Sequence, residues 1–188
     1  MNTLALIVLG LLALAVAFAI GTYNRLIGLK NQIDYARGAI EALLKKRFDL
    51  IPNLVATVKA YAKHERETLE RVTELRSRIG RAQNDDERFR LEGELSGLLG
   101  RLLIQLEAYP ELKASENFLE LQARLSEIEE QLAAARQGYN AAVVRFNNAV
   151  EMFPSNLVAR AMGLVPRPVF EAGEAAQRAP RVGDLFRP

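Results

Sequence analysis

The chain contains no cysteine and no tryptophan, and it has a single histidine. Without cysteine, neither a disulfide nor a thiolate metal site can form, and a lipidated cysteine anchor is excluded. Glycine (12) and proline (7) are scarce in 188 residues. With abundant Ala, Leu, Glu and Arg, that scarcity predicts helices throughout. A strong excess of one charge sign is also missing, since 25 basic residues face 23 acidic ones. That balance excludes a nucleic-acid module, which needs a concentrated basic face. No Gly-rich phosphate loop occurs, and no Ser-His-Asp arrangement suggests itself.

The most informative absence is local. Met1 to Thr22 contain no Asp, Glu, Lys, Arg or His. From Leu4 to Ile20 every residue except Gly10 is Leu, Ala, Ile, Val or Phe. Seventeen helical residues span roughly 25 Å, near the lower limit for a bilayer core, and uncharged flanks extend the reach. Ala17-Phe18-Ala19 offers a signal-peptide cleavage pattern, but no positive n-region precedes the run, and the run exceeds a usual h-region. The expected reading is a retained transmembrane anchor. Arg25, Lys30 and Arg37 follow it with only Asp34 in opposition, so the positive-inside tendency places the N-terminus outside and the remainder in the cytoplasm. Tyr23 falls at headgroup level.

Four helical stretches follow. The first runs from Tyr23 to about Phe48, with Leu26, Ile33, Ala36, Ile40, Leu43 and Leu44 as its apolar positions. Pro52 is expected to end it, because the residue before proline avoids the helical region. The second runs from Pro52 to about Arg81, with Leu54, Val58, Tyr61, Leu69, Val72, Leu75 and Ile79 on one face. The third runs from about Asp86 to Ala108 and stops at Tyr109-Pro110. The fourth carries an unbroken 3-4 alternation through Phe118, Leu121, Leu125, Ile128, Leu132, Ala135, Tyr139, Ala142, Phe146, Ala149 and Phe153. The expected fold is therefore all-α: a transmembrane helix (1–22) continuing into an antiparallel four-helix bundle (23–163), then an irregular proline-containing tail (164–188). A short helical turn is allowed at Ser155 to Met162. The tail cannot build a core of its own, so Val169, Phe170, Leu185 and Phe186 are expected to dock on a bundle, its own or a neighbour's.

Polar residues offer few sites. His64 sits mid-helix in Lys63-His64-Glu65 without the second His and the Glu-x-x-His pattern a bundle metal site requires, and it reads as an exposed or capping side chain. Glu129-Glu130 and Asp85-Asp86 read as solvated. Lys45-Lys46-Arg47 lies roughly 35 Å beyond the anchor on a straight helix, against a Debye length of about 8 Å, and reads as a solvated helix end. The asparagines carry more information. Asn24 and Asn31 are seven apart, as are Asn140 and Asn147, so each pair repeats one helical face beside the seam. Asn is a poor helix former. Its repetition suggests interhelical amide contacts that set register, against the plainer reading of exposed side chains.

Several strings resemble the LemA family: Tyr23-Asn24, Leu50-Ile51-Pro52-Asn53-Leu54-Val55, His64-Glu65, Glu107-Ala108-Tyr109-Pro110-Glu111-Leu112-Lys113, Asn117-Phe118-Leu119, Tyr139-Asn140-Ala141-Ala142-Val143, Phe153-Pro154-Ser155-Asn156 and Phe170-Glu171-Ala172. The likeness runs over essentially the whole chain. It implies an N-terminal membrane helix with a helical-bundle domain and leaves the activity open. A magnetosome-associated member of the family points toward membrane organisation rather than catalysis. The expectation is a non-enzymatic, cofactor-free protein of the inner membrane that assembles with copies of itself to scaffold or shape the bilayer. The alternative is a monomeric tethered adaptor that docks another envelope or stress-related protein.

Overall fold

The computed structural model of the chain describes residues 3–83 and 85–170. Six helices occur among them: α1 (Thr3–Tyr61), α2 (Arg66–Ile79), α3 (Asp85–Gln105), α4 (Pro110–Lys113), α5 (Glu116–Glu151) and α6 (Ser155–Ala161). Short 3₁₀ turns at Lys63–Glu65 and Leu106–Ala108 join α1 to α2 and lead from α3 toward α4. No strand occurs among the described residues, and the chain is all-α. Residues 23–163, expected as one bundle, are divided between two compact units: Met1–Ile40 with Ala134–Phe170, and Glu41–Ala133.

In the Glu41–Ala133 unit, four helical segments share one core. The end of α1 contributes Ile51, Leu54 and Val58, and α2 contributes Leu69, Val72, Leu75 and Ile79. Leu91, Leu95, Leu99 and Leu102 come from α3, and Phe118 and Leu125 from α5. Cross-contacts give the directions. Arg76 reaches Phe48, Tyr109 reaches Glu65, and Arg47 reaches both Glu92 and Glu129. Each segment thus runs back along its predecessor. Apolar residues at spacings of three and four place one stripe per helix inward. Burying a side chain such as Phe118 or Leu95 contributes about 1.5–3 kcal/mol.

The expected helix end at Pro52 is wrong: α1 passes through Pro52 to Tyr61. Pro52 has no N–H, so the Phe48 carbonyl four residues earlier loses its usual donor. Arg76 on α2 supplies one, its Nε donating to Phe48 O at 3.2 Å. The same guanidinium lies 4.1 Å from the Phe48 ring centroid. The break falls instead at Ala62, which leads into the 3₁₀ turn, and His64 is exposed in that turn rather than mid-helix.

In the other unit, the early part of α1 packs on the second half of α5. Leu26 and Ile33 meet Ala142, Val143, Phe146, Ala149 and Val150, with Ala159 of α6 closing the cluster. The α5 seam stays buried or half-buried from Phe118 to Ala149, but Phe153 lies beyond the helix end and is 78% exposed. The apolar run of α1 is exposed throughout: Leu4 is 71% and Ile20 57% accessible, and none of the described residues covers the 18-residue window that is long and apolar enough to cross a membrane.

Candidate functional site

Two polar constructions stand out against this apolar frame. One lies in the Glu41–Ala133 unit. Arg47 occupies a seam position, in the 3-4 series Leu44, Arg47, Ile51, Leu54, Val58, so the helix carries its guanidinium into the core. It is fully buried. Its Nη2 pairs with the Glu92 carboxylate and donates to the Glu92 carbonyl at 3.1 Å. Its Nη1 pairs with Glu129 and also meets Ser96 Oγ. Ser96 in turn donates to Glu129 Oε2 at 3.2 Å. Glu92 is itself a seam residue of α3, in the series Glu92, Leu95, Leu99, Leu102, Leu106, and is 2% exposed. One cation and two carboxylates therefore tie three helical segments together. The sequence reading of Lys45-Lys46-Arg47 and Glu129-Glu130 as solvated charge holds for Lys45, Lys46 and Glu130 and fails for Arg47 and Glu129. The missed signal was a charge standing at an apolar heptad position.

The second construction lies in the Met1–Ile40 and Ala134–Phe170 unit. After α6 the chain reverses at Gly163, whose φ of +66° is left-handed and favours glycine. Gly163 N–H donates to Arg160 O and Leu164 N–H to Ala159 O, both at 3.0 Å, which closes α6 in a Schellman motif. Residues 164–170 then run along α5 without helix or strand. Arg167 and Phe170 are gripped by their main chain. Asn147 Nδ2 donates to Arg167 O at 2.8 Å, and Arg167 N–H donates back to Asn147 Oδ1 at 2.8 Å. Asn140 Nδ2 donates to Phe170 O at 2.9 Å, and Phe170 N–H returns to Asn140 Oδ1 at 2.7 Å.

The spacing explains why two asparagines suffice. Seven helical residues advance about 10.5 Å, and three extended residues advance about 9–10 Å. Positions 140 and 147 on the helix therefore match positions 170 and 167 on an antiparallel extended segment. Pro166 and Pro168 keep Val165 and Arg167 out of the helical region and hold the segment extended. Side chains finish the contact. The Phe170 ring meets Tyr139 edge-on, with centroids 5.3 Å apart. Arg167 pairs with Asp34 of α1 at 3.1 Å and lies 5.8 Å from the Phe146 ring centroid.

The expected interhelical amide layer is thus corrected. Among the described residues Asn140 and Asn147 bond the segment at 167–170 and no other helix, while Asn24 and Asn31 on α1 are exposed. Of the expected docking residues, Phe170 is seated, Val169 points outward at 43% exposure, and Leu185 and Phe186 lie outside the described residues.

The same unit has an open groove of about 500 Å³. Gly28, Ala36 and Ala39 of α1 and Ala135, Gly138 and Ala142 of α5 line it. Tyr35 stands at its edge, 83% exposed. A Cβ built on Gly28 or Gly138 would meet nothing within 4 Å. Among the described residues no group of three or more His, Asp or Glu side chains could hold a metal ion.

A profile of the LemA family matches residues 36–183, most of the chain. The chain belongs to the LemA family. A LemA protein of Metamycoplasma hominis is 30% identical over 156 residues, which cover 82% of this chain and 71% of that relative. Two magnetosome proteins are more distant. MamQ 2 of Paramagnetospirillum magneticum is 22% identical, across 97% of this chain and 78% of its own length. MamQ of Magnetospirillum gryphiswaldense is also 22% identical, across 85% and 68% respectively. Both constructions of this LemA family chain, Arg47 with its carboxylates and Asn140 with Asn147, fall inside the matched stretch.

Proposed function

We propose that this LemA family member is a non-enzymatic, single-pass protein of the inner membrane that assembles with copies of itself and so scaffolds or shapes the bilayer. The Leu4–Ile20 run anchors it. The positive flank of Arg25, Lys30 and Arg37 holds the rest of the chain in the cytoplasm. The groove lined by Gly28 and Gly138 is the observation that carries the reading. Glycine in an exposed helix costs about 1 kcal/mol relative to alanine. Among the described residues no contact repays that cost, because a Cβ at either position would stand in open space. Small residues on a helix face let another helix approach closely, and a copy anchored in the same bilayer brings such a helix to hand. The magnetosome names of two distant relatives fit a role at a membrane.

Light scattering of the detergent-purified protein, corrected for bound detergent, tests this. Several copies per particle are expected, and a clean monomer would remove the reading. Gly138→Leu should keep the helical circular dichroism signal, since the position is open, and should lower the assembled mass. An unchanged mass would exclude the groove as the contact.

A further inference from the structure

The asparagine clamp is built in a way that does not depend on which chain supplies the segment it holds. All four hydrogen bonds run between the Asn140 and Asn147 amides and main-chain groups of Arg167 and Phe170. Val165, Pro166, Pro168 and Val169 are exposed, so most of the segment lies on the surface, and Leu164 is its one aliphatic side chain packed against the core. It joins α6 through Gly163, a single left-handed residue with open space around it. Leu26, Ile33, Val143 and Phe146, which pack together between the helices that form the clamp, all lie outside the segment.

We infer that Asn140 and Asn147 form a binding site for an extended, proline-flanked peptide with arginine and an aromatic residue three positions apart, and that residues 164–170 of a second copy occupy it in exchange for the chain's own. Asn147 reads the arginine main chain, with Asp34 taking its guanidinium. Asn140 reads the aromatic residue's main chain, with Tyr139 taking its ring. Two chains anchored in one bilayer face each other at high effective concentration, which favours such an exchange without new contacts. The inference rests on the self-assembly reading for the source of the segment, while the clamp itself stands on its own geometry.

The full chain lacks cysteine, so cross-linking can be confined to chosen positions. Ala141→Cys lies on α5 beside Asn140, and Val169→Cys lies beside Phe170, both exposed. The two single variants are mixed, reconstituted together into phosphatidylglycerol and phosphatidylethanolamine vesicles, and treated with a short bis-maleimide. A cross-linked pair of chains is expected. It should fall about tenfold when the Ala141→Cys copy also carries Asn140→Ala and Asn147→Ala. The same fall should follow from adding a blocked peptide of sequence Leu-Val-Pro-Arg-Pro-Val-Phe, which leaves the protein unmutated. A pair band that survives both treatments reflects mere proximity and overturns the inference. So does a double-cysteine chain that links only to itself while the mixed variants do not link. A particle of several copies with no asparagine-dependent link would sink the exchange and leave assembly standing. A monomer that still binds the fluorescein-labelled peptide through Asn140 and Asn147 would sink assembly and leave the clamp.

Discussion

Arg47 and Tyr109 are the residues whose chemistry departs most from their surroundings. Removing Arg47 strands the Glu92 carboxylate in the core, whereas removing all three charges leaves nothing to solvate. Arg47→Met alone should therefore cost about 3–5 kcal/mol in thermal or denaturant unfolding, and adding Glu92→Leu and Glu129→Met should recover most of it. Equal losses in both variants would mean that shape, not charge, matters there. Tyr109 is half-buried, and its phenol donates to Glu65 at 3.2 Å. Desolvation first, then the Glu65 carboxylate, pushes its pKa above the ordinary tyrosine value. The folded form therefore holds its proton after the unfolded chain has released it. The resulting stability is complete below about pH 10 and disappears as pH climbs through the raised folded value. Tyr109→Phe should flatten the alkaline fall in melting temperature, measured by circular dichroism from neutral pH upward. An identical alkaline slope would exclude the coupling.

At the level of single helices, α1 and α2 act as a unit around Pro52. The proline leaves the Phe48 carbonyl without a backbone donor, and Arg76 fills the gap. Arg76→Ala should cost about 1–3 kcal/mol in the natural chain. In a Pro52→Ala background the new N–H restores the helical bond, and the same change should cost about 1–2 kcal/mol less. A double-mutant cycle by denaturant unfolding reads this coupling directly, and additive costs would show that the carbonyl had no need of the arginine. Reading α1 from its residues failed here for a definite reason. Proline is a sound stop signal when its effect is local, but the compensating donor comes from 24 positions downstream. The α5 stripe was legible because burial there follows the helix period and nothing else. Only Phe153 escaped the pattern, being placed after the helix had ended.

For the molecule as a whole, topology is the quantity to measure. The expected orientation leaves everything after Ile20 in the cytoplasm, on the strength of Arg25, Lys30 and Arg37. Protease added to inside-out vesicles should digest the helical domain, and protease added to right-side-out vesicles should spare it. The opposite pattern would reverse the orientation. The two compact units also differ in kind. One is closed by a leucine-rich core with an internal ion cluster, and the other has both an open groove of small residues and a surface-held segment. The groove and the surface-held segment both belong to the unit that contains the apolar N-terminal run.

Local order was written into the residues. An uncharged greasy run, a 3.6-residue rhythm and a shortage of helix breakers are properties of consecutive side chains, so the apolar N-terminal helix, the all-α class and most of the buried stripe could be read directly. Partner choice was not. An asparagine repeated every two turns announces a polar face without naming what meets it, and the fold turned the Asn140–Asn147 face toward an extended segment of the same chain. An arginine at a seam position announces a buried charge, yet Glu92 and Glu129 become its partners only after the helices have reversed and stacked. Hydrogen bonds and ion pairs between distant segments depend on where the backbone returns, and that is a property of packing rather than of neighbouring letters.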